Sequence, residues 1–144
     1  MALKLTLKPN EQVIINGCAI RNDGPTVALR IESRADVIRG KDLLRETDAG
    51  TPVGRVYFLV QTSLINLGAR DALLPLIQSG LADLALVFGG ENLGHVFDAA
   101  NLISTGDYYK ALTHLRPLLR HERQLLGLEP AVRDEPRRLQ AATG

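Results

Sequence analysis

The chain has 144 residues, of which 17 are Lys or Arg and 16 are Asp or Glu, so its formal net charge is only +1. Such a length suits one domain, or two small units that share a core. The near-neutral charge does not by itself indicate a nucleic-acid ligand. We find no signal peptide and no apolar run long enough to span a membrane, and therefore expect a cytoplasmic protein. The single cysteine, Cys18, cannot form an internal disulfide, and its apolar β context predicts a buried thiol.

The first fifty residues are typical of an antiparallel β-meander. Apolar and polar residues alternate from Leu3 to Lys8, as a strand buried on one face requires. Asn16-Gly17 is a strong hairpin signal, because both residue types tolerate positive φ. Further short strands are predicted over residues 13–15, 18–21, 27–31 and 36–39. Five short strands cannot bury two faces alone, so they need a helical layer or a second copy of themselves.

After a turn-rich linker over residues 45–54, the hydrophobic period changes from two to that of a helix. Val56, Leu59, Val60 and Leu64 form the first helical stripe, and three more helices are predicted before Gly127. The fold class is therefore α+β. We divide the chain into a β unit, a helical unit and a disordered tail, over residues 1–50, 53–127 and 128–144.

The motifs of common enzymes are absent from this sequence. There is no GxSxG, no Walker loop and no GxGxxG. The three histidines, His95, His114 and His121, have neither a cysteine partner nor an HExxH spacing, so we expect no metal site. We accordingly expect no catalysis and no cofactor.

Charge is concentrated in residues 30–46, where five basic and four acidic side chains alternate with apolar ones. One interpretation is a polyanion-binding rim of the sheet, in which cations contact phosphates. Its candidate residues are Arg30, Arg34, Arg39, Lys41, Arg45 and Arg55. The other is a solvated edge, where acidic neighbours pair with these cations and contribute little. The residues alone leave both open.

Four stretches carry a resemblance to a known family. They are LKLTLKPNEQVIINGCAIRN, ADVIRGKDLL, TPVGRVYFLVQ and GDYYKALTHLRPLLRHE, which together cover most of residues 3–122. In order and spacing the chain resembles the FlbT family of flagellin-expression regulators from α-proteobacteria. One departure is Gly54-Arg55, where the family commonly has two basic residues.

The resemblance implies a post-transcriptional repressor that acts on the leader of flagellin messenger RNA, lowering its translation and stability. It also implies partners, FlaF and flagellin. An alternative is a protein-binding or chaperone-like module that affects the message indirectly. For such partners the candidate residues in the helical half are Tyr57, Tyr108, Tyr109 and Leu112.

The β unit is also similar to the carbon storage regulator, a small dimer that grips RNA along strand edges. That similarity implies an RNA edge formed by the first and fifth strands, Leu3–Lys8 and Asp36–Lys41, with Arg39 or Lys41 nearest the phosphates. We also expect a homo-oligomer.

Overall fold

Five short strands precede four helices in the computed structural model, which describes residues 3–129. The strands are β1 (Leu3–Leu7), β2 (Gln12–Ile15), β3 (Cys18–Arg21), β4 (Val27–Ile31) and β5 (Val37–Arg39). The helices are α1 (Pro52–Ile65), α2 (Arg70–Val87), α3 (Gly90–Ser104) and α4 (Tyr108–Leu125). This order confirms the predicted α+β class.

The strands form two small antiparallel sheets, with order β1-β4 and β3-β2-β5. The pairing differs from a simple meander, because β1 pairs with β4 and not with β2. Asn22 explains this difference. Its side-chain amide donates to the carbonyl oxygens of Leu7 and Lys8 at the end of β1, and to that of Pro25 just before β4. The start of β4 is thereby held beside the end of β1.

The two-stranded β1-β4 ribbon packs its apolar face on the three-stranded sheet. Leu5 and Leu7 of β1 are buried against Val13 of β2. The β4 side of this face is poorly covered, since Val27 is 39% and Leu29 37% exposed. Strand β4 forms where the sequence predicts, but most of its side chains are exposed on both faces of the ribbon.

The prediction of a buried Cys18 is also wrong. Cys18 is exposed, as are all four residues of β3. The reason is that β3 lies at the edge of its sheet, where no β3 side chain belongs to either buried cluster of the described residues.

The opposite face of the three-stranded sheet packs on the helices. Ile14 of β2 and Ile38 of β5 belong to the same buried cluster as the helical core. The β unit and the helical unit therefore share one core, which is almost entirely aliphatic. Of the predicted tail, residues 130–144 lie outside the described residues. No helix within residues 3–129 is both long enough and apolar enough to cross a membrane.

Helix α1 begins where its sequence predicts. Thr51 is the N-cap and its hydroxyl accepts a hydrogen bond from the amide of Gly54, while Pro52 occupies the first turn. A second cap comes from α4, because the buried carboxylate of Glu122 accepts from the amide of Val53 at 2.9 Å. Acidic groups are favoured at this end of a helix, so Glu122 fixes the end of α4 against the start of α1.

Candidate nucleic-acid interface

Two cations face each other on the outer surface of the β1-β4 ribbon. In the register of this pair, Lys4 lies directly opposite Arg30. Because Leu5 and Leu7 point into the small core, strand alternation directs Lys4 and Arg30 away from it, and both are exposed. Like charges in directly opposite positions destabilise a sheet. Neither side chain forms an ion pair with any residue of 3–129, so nothing in this part of the chain offsets their repulsion.

Arg39 is different, because its charge is already paired inside the molecule. Its guanidinium donates to the carboxylate of Glu11 at 2.6 Å and to the carbonyl oxygen of Thr6 at 2.8 Å. The Glu11 side chain is only 5% exposed. Burial raises the pKa of Glu11, but hydrogen bonds from Arg39 and from the amide of Lys8 outweigh it, and the pKa lies below its ordinary value. Arg39 thus joins β5 to β1, the two strands predicted to form the RNA edge.

The other predicted RNA-binding cations occupy three different places. Arg34 lies in the loop after β4, Lys41 in a 3₁₀ turn after β5, and Arg55 in the first turns of α1. All three are exposed. None of them forms an ion pair with a residue in the described range. The structure therefore does not place the predicted cations along one rim, although Arg30 and Arg34 are close in the chain.

Arg34 lines a cavity of about 600 Å³ between the β unit and the turn that joins α3 to α4. Tyr109 and Lys110, at the start of α4, line its other side. A predicted RNA-binding residue and a predicted partner-binding residue therefore meet in one place.

Three of the four residues predicted to bind partners lie in the core. Tyr57 and Leu112 are 0% exposed and Tyr108 is 4% exposed, so they are not available to a partner in this fold. At these three positions the surface prediction is wrong, since each aromatic or leucine side chain fills the space between helices. Tyr109 is partly exposed.

Tyr57 has a specific structural role. Its hydroxyl donates to the carbonyl oxygen of Asp42 at 2.6 Å. Arg116 of α4 lies 3.4 Å from this hydroxyl and 3.7 Å from the side-chain carboxylate of Asp42. Burial raises the pKa of Tyr57, and the Arg116 guanidinium only partly opposes this. Tyr57 therefore connects α1 to the turn after β5 and to α4.

His95 and His114 lie close together, with 3.4 Å between their Nδ1 atoms. Asp98 is 3.8 Å from His114. Within residues 3–129 no group of three or more His, Cys, Asp or Glu side chains has the arrangement of a metal site.

Sequence reasoning missed Lys4 and Lys110 as site residues. The alternation of apolar and polar residues from Leu3 to Leu7 already places Lys4 on the solvent-exposed face of the strand, so Lys4 could have been predicted from the sequence. Its position opposite Arg30, and that of Lys110 opposite Arg34 across a cavity, depend on long-range pairing that no local pattern reports.

The family model and the relatives that match this chain all carry the same family name. The family model described as "Flagellar protein FlbT" matches residues 3–126. A "Probable flagellum biosynthesis repressor protein FlbT" from Rhodopseudomonas palustris (strain TIE-1) is 32% identical over 130 residues, covering 88% of this chain and 98% of the relative. Another with that name, from Mesorhizobium japonicum, is 31% identical over 144 residues, covering 95% and 93%.

The "Flagellum biosynthesis repressor protein FlbT" of Caulobacter vibrioides (strain ATCC 19089) is 27% identical over 128 residues, covering 88% of this chain and 91% of the relative. No solved structure matches the chain. The similarity of the β unit to the carbon storage regulator therefore stays a prediction.

Proposed function

This chain belongs to the FlbT family, and we propose that it is a cytoplasmic repressor of flagellum biosynthesis that binds the leader of flagellin messenger RNA, lowering its translation and promoting its decay. The names of the relatives, flagellum biosynthesis repressor, support the repressor half of this proposal. The exposed cations of the β1-β4 ribbon support the RNA half, because phosphate contacts supply most of the affinity of proteins for nucleic acids.

The single observation that carries the proposal is the Lys4–Arg30 pair. Directly opposite side chains of an antiparallel pair have Cβ atoms about 4.5–5.5 Å apart, so both cations can reach one phosphate group. Arg30 can present a two-pronged guanidinium to the phosphate, and Lys4 adds a point charge. A phosphate between them would turn a repulsive pair into a favourable one.

The test measures binding of the full chain to a labelled flagellin leader RNA by fluorescence anisotropy across a salt series. We expect saturable binding of the native protein that weakens steeply as salt rises. The double variant Lys4→Glu, Arg30→Glu should lose most of this affinity and have a shallower salt dependence, by about 0.7 in slope for each phosphate contact removed.

A matched control is Arg21→Glu, Arg120→Glu, which changes the charge by the same amount at two exposed positions outside the ribbon. If the control weakens binding as much as the ribbon variant does, net charge and not the ribbon determines affinity. Normal binding by the Lys4, Arg30 variant would refute the ribbon as the RNA surface.

The homo-oligomer expected from the sequence becomes part of the proposal. It is supported by β3 and β4, which are edge strands within the described residues, and by the exposed apolar side chains of Ile20, Val27 and Leu29 beside these edges. Unprotected apolar edges are typical sites of strand pairing. A second copy paired along β4 would extend the ribbon and cover its apolar face.

A second candidate function is a protein-binding regulator for FlaF or flagellin that affects the message indirectly. A groove of about 230 Å³ between α1 and α2 favours it, because Arg55, Leu76 and Asp83 line it and Leu76 is 46% exposed. A groove of this size suits one apolar anchor side chain of an amphipathic helix. If this candidate is right, Leu76→Lys will abolish co-purification of FlaF or flagellin with the full chain, whereas Leu67→Lys, at a 64% exposed position outside the groove, will not.

A further inference from the structure

The cavity between the β unit and the α3–α4 turn is a feature that the ribbon surface does not explain. Its volume, about 600 Å³, lies within the range of about 300–1,000 Å³ that is usual for sites of small organic ligands. The β side contributes Asn16, Arg34 and Asp36, and the helical side contributes Tyr109 and Lys110. It therefore combines cations, an aromatic ring and polar groups that accept or donate hydrogen bonds.

Both walls of the cavity are held in place by backbone hydrogen bonds. On the β side, the amide of Asn16 donates to the carbonyl of Asp36, and the Asn16 side-chain oxygen accepts from the amide of Asp36, each at 2.9 Å. On the helical side, Gly106 has a φ of 84°, and the carboxylate of Asp107 caps α4 by accepting from the amide of Lys110. The walls are therefore preorganised for a ligand.

Four of the side chains that line the cavity have no polar partner among residues 3–129. Arg34, Asp36, Tyr109 and Lys110 form no side-chain hydrogen bond with any residue of 3–129. None of the three charged groups forms an ion pair in that range either. Four polar groups with no partner in the described chain thus surround one space.

We propose that this cavity binds one unpaired nucleotide of the RNA. The base stacks on the ring of Tyr109, Arg34 and Lys110 contact the adjoining phosphates, and Asp36 accepts hydrogen bonds from N–H groups on the edge of the base. Unpaired bases are recognised in this way, by stacking on aromatic rings and by hydrogen bonds to their exposed edges. Guanine, which has two such donors side by side, suits the Asp36 carboxylate best.

This inference rests on the proposed function, and the chain path connects the two sites. Arg34 follows Arg30 by four residues, so their Cα atoms are at most about 14 Å apart. A single RNA strand can therefore contact Lys4 and Arg30 through its phosphates and then place its next unpaired base against Tyr109. The ribbon would provide affinity and the cavity would provide base preference.

The experiment compares three variants of the full chain on the labelled leader RNA. Tyr109→Leu removes the stacking ring, Tyr109→Phe keeps it, and Arg34→Ala removes a phosphate contact from an exposed position. We expect Tyr109→Leu to weaken binding about tenfold or more and Tyr109→Phe to bind like the native protein. Arg34→Ala should weaken binding and also lower the salt dependence. Circular dichroism confirms that each variant is folded.

A parallel titration with guanosine 5′-monophosphate tests whether the cavity binds a nucleotide within RNA or a free nucleotide. Native-like RNA binding by Tyr109→Leu overturns the cavity as a nucleotide site, while the ribbon proposal stands. No binding of leader RNA by the native protein at low salt overturns both. If the free nucleotide binds as tightly as the RNA, and Tyr109→Leu abolishes that binding, the ligand is a free nucleotide and the RNA inference is wrong.

Discussion

Arg39 lies 2.6 Å from the carboxylate of Glu11, and the same guanidinium nitrogen is 2.8 Å from the carbonyl oxygen of Thr6. One side chain thus connects β5 to β1 and to the turn that precedes β2. Its Nε atom is buried and has no hydrogen-bond partner among the described residues. The sequence interpretation placed Arg39 or Lys41 nearest the RNA, whereas the geometry of Arg39 shows that it holds the two sheets together.

We predict that Glu11→Gln lowers the free energy of unfolding by about 1.5–3 kcal/mol at pH 7, the usual range for a hydrogen bond to a charged group. The variant leaves the partly buried Arg39 without its counter-charge. Urea denaturation of both proteins measures the difference. An unchanged midpoint would mean that solvent replaces the carboxylate at no cost.

The same pair predicts a pH dependence. Because the pKa of Glu11 is lowered in the folded state, its contribution is fully present above the ordinary value of 4.5. It is lost as pH falls through the lower, folded-state pKa. The stability difference between the native protein and Glu11→Gln should therefore shrink below about pH 4.5. A difference that grows on acidification would contradict the assignment.

Tyr57→Phe tests the buried hydroxyl. We expect a loss of about 1 kcal/mol at pH 7, because the carbonyl of Asp42 loses its donor. Since the folded-state pKa of Tyr57 is raised, the unfolded chain ionises first as pH rises above 10.0, and this destabilises only the native protein. The difference in unfolding free energy between the native protein and Tyr57→Phe should therefore narrow above pH 10.0. Thermal melts at neutral and alkaline pH provide the measurement.

Gly54→Ala tests the close approach at the start of α1. A Cβ at this position would lie 2.6 Å from the hydroxyl of Thr51 and 2.8 Å from the carbonyl of Asp48. We expect a loss of about 1–3 kcal/mol from this overpacking. Gly94→Ala in α3 is the control, because its Cβ would meet nothing within 4 Å. It should stabilise the helix by about 0.5–1 kcal/mol.

Self-association through the β4 edge has its own test. Leu29→Lys places a charge on the exposed apolar face of the ribbon and should shift the protein to monomer in sedimentation velocity. Leu86→Lys, at an 86% exposed position on α2, is the matched control and should leave the association state unchanged. A native protein that is monomeric at every concentration would rule out this interface.

Local patterns predicted most of the secondary structure, because each pattern acts over a few neighbouring residues. The alternation from Leu3 predicted β1, and Asn16-Gly17 predicted the β2-β3 hairpin, where both residues do have positive φ. The helical stripe that starts at Val56 predicted α1. Helix α2 begins at Arg70, so Pro75 lies inside the helix but near its start, where the backbone hydrogen bond lost at proline is close to the helix end.

The amino-acid sequence by itself determined the strands, the helices and the family. The hydrophobic period, the turn residues and the family motifs each depend on residues that are close together in the chain. Only the tertiary structure decided that β1 pairs with β4, that Lys4 faces Arg30, that Glu11 neutralises Arg39 and that Tyr57 is buried. These relationships join residues far apart in the chain. They depend on which strand edges and helix faces meet, and a charged or aromatic side chain has the same local pattern whether its partner is solvent, a carboxylate or an RNA.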